Sequence, residues 1–177
     1  MTEQEILILV DDNDNELGTD TRENCHAGKG KRHRAYTALL FHGGSMLLQQ
    51  RSMKKLLWPG GWDVSFTSHV YPGETYQQAA SRRARQELDA NIGELTDVHS
   101  FVYFAPQGAN AENEFCRVLV GDFDGKIRPN PEEMMSVRWA TLAEVKSDLA
   151  SNPGAYTPWF RLTFEGFLSS PVSKKYA

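Results

Sequence analysis

Three histidines and a Glu-x-Glu pair are the residues whose types and spacing indicate metal chemistry. His26, His33 and His69 lie in the first half of the chain, and Glu112 and Glu114 follow in a run that is predicted as a strand. Residues two apart on a strand point to the same face, so both carboxylates are predicted to lie side by side. Imidazole nitrogens and carboxylate oxygens together suit a divalent cation such as Zn²⁺, Mn²⁺ or Mg²⁺.

The elements that must position these residues are short strands mixed with helices. Hydrophobic patterning predicts strands at 5–10, 35–42, 45–51, 97–105, 113–123 and 135–140, with Gly43-Gly44 as a hairpin turn. A helical pattern runs from Gly73 to Leu88, and two further helices are predicted at 141–149 and 157–169. The polar, basic segment 21–34, which carries His26 and His33, is predicted as a loop. This layout indicates a mixed α/β (α+β) fold.

Length and composition favour one globular domain spanning residues 1–177. Hydrophobic residues make up 40% and charged residues 24% of the chain, which is ordinary for this class. The net charge of −4 argues against non-specific nucleic-acid binding, and no apolar run is long enough for a membrane span. Two cysteines, Cys25 and Cys116, do not make a disulfide framework. We therefore expect a cytoplasmic protein, with a monomer as the default.

The stretch from Ser68 to Leu88 resembles the Nudix box, a loop–helix–loop that places carboxylates and arginines against a metal-bound diphosphate. Three of its positions match: Glu74, Arg82 and Glu87. Four depart from the pattern: Ser68 and Asp89 replace glycines, and Arg83 and Gln86 replace metal-binding glutamates. Only one clear carboxylate therefore remains on the helix face, and Arg83, four residues before Glu87, is predicted to pair with it.

These departures are similar to one branch of the Nudix superfamily, the type 1 isopentenyl-diphosphate isomerases. The resemblance runs from about residue 5 to about residue 168. Besides the arginine-rich helix, it rests on five features in the expected order: the pair His26 and His33, Trp58-Pro-Gly-x-Trp62, Ser68-His69, Glu112-Asn-Glu114-x-Cys116, and Thr157-Pro-Trp159. It implies the Nudix fold, with a mixed β-sheet sandwiched between helices.

The resemblance also implies a role for each matched residue. One divalent metal would be bound by His26, His33, His69, Glu112 and Glu114. A Mg²⁺ arriving with the substrate would be bound by Glu87. The diphosphate oxygens would be contacted by Arg22, Arg51, Lys55 and Arg83, and a diphosphate does require several cations and bidentate donors. Trp159 would face the prenyl group, where an indole stabilises a carbocation, although plain core packing is the alternative for this residue. Tyr103 would assist proton delivery by Glu114.

Thr67 is the main departure from the isomerase pattern. Isomerisation adds a proton at one carbon and removes one from another, and in these isomerases a cysteine and a glutamate stand on opposite sides of the substrate. The glutamate corresponds to Glu114, and the cysteine corresponds to Thr67. A threonine hydroxyl does not ionise near neutral pH, whereas a thiol is readily tuned to do so.

The sequence therefore leaves three functions open for a protein whose partner is a small-molecule diphosphate. The first is a metal-dependent enzyme that converts isopentenyl diphosphate to dimethylallyl diphosphate, or has a derived activity. The second is a Nudix hydrolase that cleaves a prenyl or nucleoside diphosphate. The third is a protein that binds a diphosphate, or carries out other prenyl chemistry, without isomerase activity. The cofactor would be Mg²⁺, Mn²⁺ or both, with Zn²⁺ also compatible with the ligands.

Overall fold

The structure is a computed structural model that describes residues 4–177, so residues 1–3 of the predicted domain lie outside it. The strands are β1 (Ile6–Val10), β2 (Glu16–Thr21), β3 (His33–His42), β4 (Ser45–Arg51), β5 (Trp62–Asp63), β6 (Phe66–His69), β7 (Thr96–Gln107), β8 (Asn110–Asp122) and β9 (Met134–Thr141). The α-helices are α1 (Arg22–His26), α2 (Tyr76–Leu88), α3 (Leu142–Ser151) and α4 (Pro158–Ser169). Two 3₁₀ segments, Pro153–Ala155 and Pro171–Lys175, flank α4.

Strand β3 lies at the centre of a mixed sheet and brings the metal-type residues together. It pairs in parallel with β8, where His33 lies opposite Glu114. It also pairs antiparallel with β6, where Ala35 lies opposite His69. On the outer side, β7 pairs antiparallel with β8 and places Tyr103 opposite Glu114. The start of β3 is therefore the point at which residues distant in sequence meet.

Both faces of the sheet are covered, as the Nudix resemblance implies. Tyr36, Ala38 and Leu40 point to one face and pack with the buried residues of α2. Leu39 and Phe41 point to the other face and pack with α3 and α4. This alternation along β3 is what a strand buried on both sides requires. None of the helices among the described residues is long and apolar enough to cross a membrane.

The predicted hairpin and the predicted helix ends are largely confirmed. Gly43 and Gly44 have φ values of 53° and 78°, as a tight two-residue turn between β3 and β4 requires. Helix α2 begins at Tyr76 rather than at Gly73, because Thr75 forms a capping box with Gln78. It ends at Leu88, and Asp89 takes the left-handed φ of 50° for which glycine is usual.

The prediction of a loop for residues 21–34 is wrong at both of its histidines, which lie in a helix and in a strand. His26 is the last residue of the short helix α1, whose cap is Thr21 accepting a 3.2 Å hydrogen bond from the Asn24 N–H. His33 is the first residue of β3. A five-residue helix shows too little of a helical period to be recognised from sequence. The short strands β5 and β6 and the strand β2 were not predicted either.

Candidate active site

The three predicted histidines form a compact cluster at the start of β3. Their ring centroids are 4.9 Å apart for His26–His33 and His33–His69, and 5.2 Å apart for His26–His69. His26 Nε2 lies 3.1 Å from Glu112 Oε2. The Nε2 atoms of His33 and His69 each lie 3.3 Å from Glu114 Oε1. The structure therefore brings all five predicted ligands together: ligand atoms of His26, His33, His69 and Glu112 all lie within 4.8 Å of one another, and Glu114 contacts two of the histidines.

Hydrogen bonds at the far side of two rings orient them towards this centre. His26 Nδ1 lies 2.7 Å from the Arg22 carbonyl, and His33 Nδ1 lies 2.8 Å from the Lys31 carbonyl. A carbonyl can only accept, so each Nδ1 carries the hydrogen and each Nε2 keeps its lone pair. The buried His33 Nε2 and Glu112 Oε2 have no hydrogen-bond partner within residues 4–177. Orphaned lone pairs that converge in this way fit a divalent cation.

The surroundings shift the pKa values of His69 and His26 in opposite directions. Burial, with the neighbouring His33 and His26, holds the pKa of His69 well below its usual range. Burial also acts to lower the pKa of His26, but the close approach and negative charge of the Glu112 carboxylate outweigh it, so this pKa is raised. His69 is consequently a neutral imidazole at neutral pH, which is the form that binds metals.

Tyr103 and Glu114, which the resemblance implies as an acid–base pair, are joined by a hydrogen bond. The Tyr103 hydroxyl donates a 2.6 Å hydrogen bond to Glu114 Oε2, the oxygen that does not face His33 and His69. Burial and the charge of Glu114 hold the pKa of Tyr103 well above its usual range. The phenol is therefore protonated throughout the neutral range and acts as a donor to the carboxylate.

Thr67 lies on β6 opposite Thr37 of β3 and lines the same cleft as Glu114 and Tyr103. Its hydroxyl donates a 2.8 Å hydrogen bond to the Tyr36 carbonyl. The proton of Thr67 is thus engaged with the backbone, and its oxygen keeps only acceptor capacity towards the cleft. This geometry gives Thr67 a polar role in the cleft but no proton to transfer.

The cleft has a volume of about 820 Å³, and the predicted diphosphate-binding cations lie along it. Arg22 pairs with Glu5 at 3.2 Å. Arg51 pairs with Asp63 at 3.2 Å and also donates to the carbonyls of Trp58 and Leu57. Both guanidiniums are therefore held by the protein as well as facing the cleft.

Lys55 and Arg83 meet at two carboxylates. The predicted pair between Arg83 and Glu87 is confirmed at 2.5 Å, and Arg83 lies equally close to Glu133. Lys55 pairs with Glu133 as well, and it lies 3.9 Å from Glu87. Burial acts to raise the pKa of Glu133, but Arg83 and Lys55 outweigh it and the pKa is lowered. Burial lowers the pKa of Lys55 despite both carboxylates.

Glu87 is 1% exposed and contacts Arg83 and Lys55, two cations that line the cleft. Gln49 donates a 3.2 Å hydrogen bond to its Oε2 atom, while Oε1 faces Arg83. The single carboxylate that remains from the box pattern is thus fixed in orientation by two neighbours.

Trp159 is both a core residue and a cleft residue. It is 2% exposed and packs with Ala35, Tyr103, Ala105 and Cys116, which satisfies the packing alternative. It also lines the cleft, as the site interpretation requires. Core packing and a position in the cleft are therefore compatible for Trp159.

The buried Asp63 holds Trp159 in place and was not identified from the sequence. Its Oδ1 atom accepts a 2.8 Å hydrogen bond from Trp159 Nε1, and the Arg51 guanidinium lies 5.2 Å from the indole centroid. Burial raises the pKa of Asp63 to about 6, although Arg51 opposes this shift. Glu133 was missed as well. Neither residue belongs to a recognisable motif, since both act through contacts across the fold.

Comparisons with known proteins agree with this geometry. The family profile described as NUDIX domain matches residues 31–160. An isopentenyl-diphosphate Delta-isomerase of Klebsiella pneumoniae is 37% identical over 91% of this chain and 89% of its own length. The protein of that name from Nocardia farcinica is 39% identical over 89% of this chain and 91% of its own length.

Solved structures show the same fold. A Deinococcus radiodurans protein, DR0079, superposes with a TM-score of 0.73 at 27% identity, covering 92% of this chain and 99% of its own. A MutT NUDIX hydrolase of Burkholderia pseudomallei gives a TM-score of 0.62 at 20% identity, covering 77% of this chain and 98% of its own. The chain belongs to the Nudix superfamily and, within it, to the family of the isopentenyl-diphosphate Delta-isomerases.

Proposed function

We propose that the protein is a divalent-metal-dependent isomerase that converts isopentenyl diphosphate to dimethylallyl diphosphate. The observation that carries this proposal is the double role of Glu114. One of its oxygens faces His33 and His69, and the other accepts the Tyr103 hydrogen bond. A carboxylate tied to a metal-type cluster and to a phenol donor is suited to proton transfer at a carbon, since its position and charge are both controlled. The curated relatives support the same reaction.

The residues that would hold the metal are the five that converge at the start of β3: His26, His33, His69, Glu112 and Glu114. Mn²⁺ and Mg²⁺ suit the carboxylates, and Zn²⁺ also suits the three imidazoles. Glu87, together with the substrate oxygens, would hold a Mg²⁺. Bound cations would supply positive charge that fixes Glu114 and offsets the charge of the diphosphate.

The remaining steps are assigned to side chains that line the cleft. Arg22, Arg51, Lys55 and Arg83 bind the diphosphate and direct the prenyl group inward. Glu114, with Tyr103, adds a proton to one carbon of the double bond. The indole face of Trp159 stabilises the tertiary carbocation that results. On the opposite side, Thr67 offers an acceptor oxygen, so we assign removal of a proton from the other carbon to a water molecule held there.

Hydrolysis of a diphosphate is the second candidate, because the fold is shared with Nudix hydrolases. Arg83 and Gln86 occupy positions at which a hydrolase needs carboxylates to bind cations and activate water. The isomerase proposal therefore ranks first. A cytoplasmic location, a small-molecule partner and a monomer complete the proposal.

Phosphorus NMR distinguishes the two reactions. The protein would be incubated with isopentenyl diphosphate and either Mg²⁺ or Mn²⁺. The isomerase proposal predicts that both phosphorus resonances of a diphosphate persist while the prenyl group changes. Release of inorganic phosphate or of a monophosphate would favour the hydrolase. An unchanged substrate would support the third possibility, a binding protein.

A further inference from the structure

Glu133, like the buried Glu87, pairs with two of the predicted diphosphate-binding cations, but Glu133 also lines the cleft. Its Oε2 atom lies 2.5 Å from Arg83 NH2 and forms an ion pair with Lys55 Nζ. The Glu133 side chain is 24% exposed, against 65% for that of its neighbour Glu132, which pairs with Lys54. Ion pairs between well-exposed side chains contribute little, whereas partly buried ones are screened less by water and salt. Glu133 therefore has the stronger influence on the cleft.

Backbone hydrogen bonds fix Glu133 against both elements that carry its partners. Its carbonyl accepts from the Ser52 N–H at 3.0 Å, in the segment that leads to Lys55. Its N–H donates to the Asn130 carbonyl at 2.9 Å. Asn130 in turn donates from its backbone N–H to the Glu87 carbonyl at 2.8 Å, at the end of helix α2. The carboxylate is thus held over the site by the fold and is not a freely mobile surface group.

The charges along the cleft do not favour a bare diphosphate. Among the described residues that line it, five cationic side chains accompany six carboxylates. A metal-free diphosphate carries several negative charges, so it would have to displace Glu133 from Lys55 and Arg83 and leave that carboxylate unpaired. Leaving a partly buried charge without its partner is costly.

A divalent cation removes this conflict. Glu87 Oε1 and Glu133 Oε2 both reach the same nitrogen of Arg83 at 2.5 Å, so the two carboxylates lie close to each other. Carboxylate and phosphate oxygens are the ligands that Mg²⁺ prefers. We propose that Glu133 is a specificity residue that makes this site accept a diphosphate as its divalent-metal complex and discriminate against the metal-free anion. This inference rests on the proposed function only in taking a diphosphate as the ligand.

Calorimetric titration with inorganic pyrophosphate tests the proposal without any turnover. The unmodified protein should bind pyrophosphate weakly in EDTA and much more tightly with Mg²⁺. Glu133→Gln should raise the affinity measured in EDTA by about tenfold, the size of one charge-assisted contact. The ratio between the affinities with and without Mg²⁺ should fall by the same factor or more.

Glu132→Gln is the matched control. It removes the same charge at the neighbouring position, where Glu132 forms an exposed ion pair with Lys54. It should leave the ratio within about twofold of the unmodified protein. Thermal unfolding would establish that both variants fold. An equal effect of both variants, or no effect of Glu133→Gln, would overturn the proposal. Pyrophosphate binding with no prenyl isomerisation would contradict the proposed function and leave this inference standing.

Discussion

Tyr103 donates a 2.6 Å hydrogen bond to Glu114 Oε2, while the other oxygen of the same carboxylate faces two histidines. These two residues lie opposite each other on β7 and β8, so the contact follows directly from strand register. It links the histidine cluster to Trp159, whose ring centroid lies 6.0 Å from that of Tyr103. The proposed isomerase chemistry depends on this link.

Removing the phenol hydroxyl should slow the reaction without disturbing the metal cluster. Tyr103→Phe deletes the donor to Glu114 and is expected to lower the rate of isomerisation by about 10²-fold, as for other lost proton-transfer partners. Metal content should remain unchanged, since Tyr103 does not face the histidines. Tyr176→Phe, where the ring stacks on Phe41, is the control and should retain full activity. Equal rates for Tyr103→Phe and the unmodified protein would contradict the assignment.

His69→Ala should abolish bound metal. The variant removes one of three converging nitrogens, and elemental analysis of the purified protein should show occupancy falling to background. His42→Ala is the control, because His42 is exposed and contacts the Phe123 carbonyl. Full metal occupancy in His69→Ala would eliminate the five-ligand cluster as the metal site.

Thr67→Cys should increase isomerase activity, by about tenfold or more, because a thiol can be tuned to transfer a proton and the threonine hydroxyl is engaged with the Tyr36 carbonyl. Thr67→Ser keeps a hydroxyl at the same place and should stay close to the unmodified protein. The measurement is the turnover number for each variant under identical metal conditions. If the unmodified protein already matches Thr67→Cys, the proposed limitation at Thr67 is wrong.

Burial of Asp63 should make the protein less stable as pH rises. Its pKa is raised by burial to about 6 from an ordinary value of 3.8. The folded state therefore holds this proton more tightly than the unfolded chain, and its contribution to stability falls as pH rises from about 4 to about 6. Two pKa units correspond to a loss on the order of 3 kcal/mol.

Asp63→Asn should remove this component of the pH dependence. Urea unfolding in EDTA at pH 4.5 and pH 7.5 would measure the free energy of unfolding of both proteins. The free energy of unfolding of the variant, relative to that of the unmodified protein, should be higher at pH 7.5 than at pH 4.5. The histidines are present in both proteins, so their contribution cancels in this comparison. Asp124→Asn, at an exposed position, should leave the profile unchanged. Parallel profiles for Asp63→Asn and the unmodified protein would show that Asp63 is not responsible.

Much of the fold could be predicted because its local signals are strong. The Gly43-Gly44 turn, the helical period up to Leu88 and the parity of Glu112 and Glu114 each depend on a few adjacent residues. The ion pair of Arg83 with Glu87 follows from helical spacing alone. The family resemblance then supplied the expectation that the distant histidines meet.

Contacts across the fold explain what the sequence could not show. The parallel pairing that sets His33 opposite Glu114 joins strands far apart in the chain. Asp63 and Glu133 become part of the site only when β5 reaches Trp159 and when the segment before β9 packs on the end of α2. Helix α1 is stabilised by its Thr21 cap and by contacts with β8, not by a sequence period.

Proton NMR of isopentenyl diphosphate in deuterated water tests the central claim most directly. With Mg²⁺ or Mn²⁺ supplied, the account predicts that dimethylallyl diphosphate forms and that deuterium enters the substrate and the product, because protons are exchanged with solvent through Glu114 and Tyr103. Removal of the metal should stop both changes. If a folded, metal-loaded protein gave no dimethylallyl diphosphate and no deuterium incorporation, the proposed isomerase function would be contradicted.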